Sequence, residues 1–81
     1  MSDIRINLVC CTATICNEVA LGLKQNDIAL TYAIAIKSSH DGADTPDWEK
    51  INGAILARWS MSGLERIKKR AWDICAGKVK P

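Results

Sequence analysis

In the last third of this chain the apolar positions keep a helical period, lose it by about half a turn, and then resume it. Trp48, Ile51, Ile55 and Trp59 recur at steps of three, four and four, and Leu64, Ile67, Ala71 and Ile74 or Cys75 repeat the pattern. Extending the first row at 3.6 residues per turn lands near positions 62 and 66, where Ser62 and Arg66 stand. One straight helix cannot bury both rows against one surface, so a bend is expected between Ser60 and Gly63. The stretch then reads as a helical hairpin with arms 46–59 and 62–76. Local chemistry agrees. Ser60 can cap the second arm with Trp59 and Leu64 as a hydrophobic staple, or Ser62 can cap it with Glu65 completing a capping box. Thr45-Pro46 suits the start of the first arm, with Asp47 and Glu49 near its positive dipole end. Gly77 suits the end of the second.

Upstream, residues 28–38 read as another helix, with Ile28, Tyr32 and Ala35 on one side and Asn26 or Asp27 as the cap. Its alanines allow a neighbouring helix to approach closely. The segment Ser39–Thr45 reads as a loop, rich in Ser, Asx and Gly. Residues 4–23 carry two adjacent apolar rows at helical spacing, which predicts a buried helix. Ile4, Ile6 and Leu8 also alternate as in a strand, so the start of this segment stays open between helix and strand. The fold expected is all-α: a small bundle of three to four short helices in one domain, 1–77, with a short basic tail, 78–81.

Eighty-one residues support one marginal core, so a partner subunit is a common source of further stability. Phe is absent, which leaves three Trp and one Tyr to supply the large rings. Residues 1–57 carry a net charge of −3 and residues 58–81 a net of +5. Such polarity suits an anionic partner for the C-terminal half, or head-to-tail self-association. Asp3 beside Arg5 makes a poor export signal, and the uncharged run 6–17 is too short to span a bilayer. A cytoplasmic protein with reduced thiols, not embedded in a membrane, is expected.

No stretch dictates a chemistry. Cys10 and Cys11 are adjacent, Cys16 lies five residues on, and Cys75 is remote; zinc sites take pairs spaced two to four apart. Packing as small hydrophobes is the expected use of these cysteines, with neither metal nor cofactor. His40, Asp41, Asp44 and Asp47 miss the calcium-loop register and read as turn and cap residues. Neither a nucleophile motif nor a phosphate-binding loop accompanies them, so a catalytic role and a small-molecule substrate are not expected. Between Asn52 and Arg70, a helix-turn-helix comparison fits Ala57 and Ile67 but puts Ser60 and Arg70 where apolar residues belong.

What remains is the basic second arm. Arg66, Lys68, Lys69 and Arg70 cluster there, with Arg58 just before it, and Trp72 sits between the apolar row and the charges. Trp48 and Trp59 fall on the apolar row and are expected in the core, whereas Trp72 is expected to be partly exposed. A ring beside cations is a frequent contact hot spot. The expected function is therefore a non-catalytic interaction module. It would self-associate as a homo-oligomer, or bind an acidic protein surface, through Arg58, Arg66, Lys68, Lys69, Arg70 and Trp72. The competing expectation is a small DNA- or RNA-binding protein that uses the same helix to neutralise phosphates.

Overall fold

The computed structural model describes residues 11–42 and 45–78. They form three helices, α1 (Cys11–Leu21), α2 (Gln25–His40) and α3 (Trp48–Cys75), and no strand occurs among them. The small all-α bundle expected from the sequence is therefore the fold. Positions 11–15 are helical, while the choice between helix and strand for 4–10 lies outside the described residues.

α1 ends in a Schellman turn. Gly22, at φ 84°, donates its amide to the Val19 carbonyl, and Leu23 donates to Glu18. This compact closure leaves Lys24 already extended, so α2 starts at Gln25, with Asp27 in its first turn rather than at a cap at 26 or 27. α2 also runs on to His40, two residues into the expected loop. α3 starts two residues later than Thr45-Pro46 suggests. The Asp47 carboxylate accepts the Lys50 amide at 3.1 Å and so takes the N-cap, with Pro46 buried ahead of it. The Asp47 amide donates to Thr12 Oγ1 at 2.9 Å, which ties the start of α3 to the start of α1.

The expected bend is present. Ser60 has φ 80° and ψ −178°, the one non-helical residue inside α3. A straight helix of this length would measure about 42 Å, longer than the molecule's greatest extent of 33 Å. The first arm, 48–59, and the second, 61–75, instead fold against each other. Ser60 occupies a region of backbone space that is almost glycine-only, which costs on the order of 1–3 kcal/mol. Its neighbour in the bend explains a second residue choice. A Cβ on Gly63 would lie 2.2 Å from the Trp59 Cβ, so only glycine lets the chain double back beneath that indole.

Contacts fix the directions of the four helical segments. Thr12 meets Asp47 and Gly22 adjoins Arg58, so α1 runs parallel to the first arm. Tyr32 donates its hydroxyl to Asn52 Oδ1 at 2.9 Å and packs its ring 5.1 Å from that of Trp48. The start of α2 at Gln25 adjoins Gly63, past the end of the first arm, and its end at Ile36–His40 lies beside Trp48, which makes α2 antiparallel to the first arm. Gln25 adjoins Gly63, and the Cys75 thiol donates to the Ala33 carbonyl at 3.4 Å, so the second arm runs parallel to α2. The result is an up-down-up-down bundle. Each segment sends an isoleucine into the centre: Ile15, Ile28, Ile51 with Ile55, and Ile67 are almost wholly enclosed. Each contributes about 1.5–3 kcal/mol of apolar burial.

One charged group sits awkwardly in this frame. Glu18 faces α2, where Thr31 donates its hydroxyl to Oε2 at 2.9 Å, but Oε1 is shielded and has no partner. Burial pushes its carboxyl above the ordinary range, and the nearby Asp27 adds to the shift against the opposing Thr31 hydrogen bond. A raised carboxylate pKa means that the folded state holds the proton more tightly than the unfolded chain. The charged group therefore weakens the fold at neutral pH, and stability is recovered as pH falls through the raised value. Glu18→Gln is expected to raise the unfolding temperature at neutral pH, by a small margin because the carboxyl is only partly buried and solvent screens it. The gap from wild type should close as the buffer is taken toward the unfolded glutamate's range. A thermal melt series across pH checks this, and a constant gap at all pH values would refute it.

Candidate interaction site

The second arm is amphipathic about an axis that buries Leu64, Ile67 and Ala71. Successive residues advance about 100° around a helix, so this core row settles where the cations stand. Lys68, Lys69 and Trp72 share one flank through three- and four-residue spacings. Arg66 and Arg70 share the other, roughly 160° around from Trp72 in the case of Arg70. The six residues expected to form one contact surface are thus distributed over three places. Arg58 is at the bend, where its guanidinium lies 4.8 Å above the Trp59 ring and beside Gly22. That is the opposite end of α2 from Trp72.

The cations differ in how available they are. Lys69 pairs with Asp73 at 3.2 Å and Lys68 with Glu65 at 4.0 Å, both within the arm. Arg70 is half-buried, with Nε shielded and lacking a hydrogen-bond partner. Arg66 is exposed. Surface pairs of this kind hold their charges loosely, so the lysines remain able to turn to a partner. The arm's net charge is nonetheless modest, because Glu65 and Asp73 offset two of its four cations.

Trp72 is where expectation and geometry agree best. Its side chain is 57% exposed, the largest apolar group so open to water. It forms one wall of a cleft of about 480 Å³ whose other lining residues are Ile36, Lys37, Ser39, His40, Asp41, Trp48 and Cys75. The bend in α3 creates this cleft. It brings Trp48 from the start of the first arm and Trp72 from the end of the second to the same end of α2. In a straight helix they would stand about 36 Å apart. The floor is apolar, with Ile36, the two indoles and the Cys75 thiol, and the rim is polar, with Lys37, Ser39, His40 and Asp41.

Trp48, Lys37 and His40 are not among the six residues that the sequence assigns to the contact surface. Periodicity assigned Trp48 to the core, and it is in fact half-buried, one side against Tyr32 and the other toward the cleft. The composition of 39–45 predicts a loop at His40, yet it belongs to the last turn of α2 and lines this cleft. Cys16 and Cys75 are half-buried free thiols, and no group of three or more His, Cys, Asp or Glu is placed to hold a metal ion among the described residues. Among those residues, no helix is long and apolar enough to cross a membrane. Comparison of the chain with models of known families, with curated proteins and with solved structures found no match.

Proposed function

We propose that this chain is a non-catalytic helical interaction module, and that it grips a protein partner with the cleft between Trp48 and Trp72. The observation that carries the proposal is the pairing of a widely exposed indole with an apolar-floored, polar-rimmed cleft. Aromatic rings of this kind, half enclosed and backed by a rigid bundle, are the usual anchors of protein interfaces. Asp41 offsets Lys37 on the rim, so the charge preference comes from Lys68 and Lys69 on the flank of Trp72. These can leave their surface pairs with Glu65 and Asp73 for a segment that presents a bulky apolar side chain between acidic residues. Arg58, Arg66 and Arg70 lie away from this cleft and are assigned no share in it. A cytoplasmic, reducing setting suits the reading, because Cys75 contributes to the cleft as a thiol that donates to Ala33.

Tryptophan fluorescence tests the proposal directly. A peptide with a central Leu or Phe flanked by Asp and Glu is expected to shift the emission of the wild-type protein on titration. Trp72→Ala should weaken binding by 2 kcal/mol or more, about thirtyfold in Kd. Lys68→Glu with Lys69→Glu should weaken it less and remove most of its salt dependence. If Trp72→Ala binds like wild type, the cleft reading fails. A mobility shift with duplex or single-stranded oligonucleotides, lost on Arg66→Ala with Arg70→Ala, would favour the nucleic-acid alternative instead.

A further inference from the structure

We propose that the bend at Ser60 is a hinge through which two copies of this chain exchange their second arms. Three observations converge on it. First, Ser60 alone separates two regular helical arms, and its φ of 80° is strained for any residue except glycine. In the only other arrangement regular for a helix, Ser60 takes ordinary helical angles and α3 becomes one continuous rod. Nothing in 48–75 resists that state, since the stretch contains no proline and its glycines are tolerated in helices.

Second, the half-turn phase slip suits the rod. In a straight α3 the row Ile51, Ile55 and the row Leu64, Ile67, Ala71 point to nearly opposite sides. The first would stay in its own bundle. The second would face away from it, toward a bundle supplied by another molecule. Third, a single chain cannot straighten alone, because that would strip Leu64, Ile67 and Ala71 from the core and uncover α2. A second copy restores every one of those contacts, with the Cys75 of one chain on the Ala33 carbonyl of the other. Short strained hinges are the recognised setting for such exchange. The cleft is restored as well, with Trp48 from one chain and Trp72 from its partner.

The exchange goes beyond the cleft's role in binding and does not depend on it, since monomer and exchanged dimer have clefts of the same lining. Light scattering across a concentration series tests it. Ser60→Gly relieves the strain of the bent form, while Ser60→Ala keeps the strain and favours the helix. Because both hinges of a dimer open, about tenfold per chain becomes about a hundredfold in the dimer dissociation constant. Ser60→Gly should dimerise that much more weakly than Ser60→Ala, with wild type between them.

Paired spin labels on Glu49 and Ala76 of one chain, diluted with unlabelled protein, identify the geometry. The exchanged dimer should place them about 40 Å apart, and the monomer much closer. Dimers that keep the short intrachain distance would overturn the exchange. So would a dimer affinity that is the same in both Ser60 variants, or mass that stays monomeric for Ser60→Ala at high concentration.

Discussion

Gly63→Ala is expected to eliminate the bent monomer. The new methyl would stand 2.2 Å from the Trp59 Cβ and 3.0 Å from its Cγ, and both atoms are fixed by the backbone or one bond from it. A flexible tip could swing away; these cannot. Relief requires the bend itself to open, at a cost of about 3 kcal/mol or more in the folded monomer. Gly53 supplies the control. It lies on the exposed face of the first arm, with nothing within 4 Å of its would-be Cβ and ordinary helical φ. Gly53→Ala should therefore stabilise by about 0.5–1 kcal/mol through helix propensity alone. Urea unfolding of the two variants, with mass measured alongside, gives the comparison. Gly63→Ala should emerge unfolded or dimeric, and a monomer with wild-type stability would show that the arms do not double back as described.

Ile67→Ala is expected to destabilise the fold by about 2–5 kcal/mol, the range for emptying an aliphatic site that cannot collapse. Ile67 is 1% exposed and belongs to the second arm, so the loss measures how firmly that arm is built into the core. For a chain of this length, total stability is about 4–12 kcal/mol, so the loss is a large fraction of the whole and should show plainly in a urea unfolding midpoint. Met61→Ala, at a 57% exposed position in the same arm, should change stability by less than about 0.5 kcal/mol. Equal effects of the two would mean that the second arm does not pack as described.

The bend was legible in the sequence because it interrupts a periodicity, and periodicity is a local property that needs no knowledge of the fold. The rows around Ile55 and Ile67 report their own burial faces, and the half turn between them leaves a bend as the economical solution. The start of α3 was read two residues early because Thr45-Pro46 and Asp47 both carry start signals. The deciding term is the Asp47 carboxylate on the Lys50 amide, a contact that competes with, rather than adds to, proline at the first helical position.

The site was legible only in part. Trp72 stood out because it lies off the apolar row, and an off-row ring is exposed in any bundle that buries the row. Its company was not readable. Which side chains lie opposite Trp72 depends on the direction in which the second arm returns, and that direction is set by Gln25 at Gly63 and Ala33 at Cys75, contacts between residues 38 and 42 positions apart. Grouping Arg58 with Trp72 followed sequence proximity, whereas the hairpin sends the two to opposite ends of α2. Arg70 looked like one more free cation, but its guanidinium stem lies on the flank where the arm meets the bundle.

Both the cleft and the exchange of arms rest on α3 folding back on itself, and a paramagnetic label at Ala76 in dilute, monomeric protein tests that most directly. If the arms double back, the label should broaden the amide signals of Lys37–Asp41 and the indole signal of Trp48, all at its end of the bundle. A straight α3 would hold Ala76 about 42 Å from Trp48, beyond the reach of the label, and a sharp Trp48 indole signal in the monomer would contradict the account.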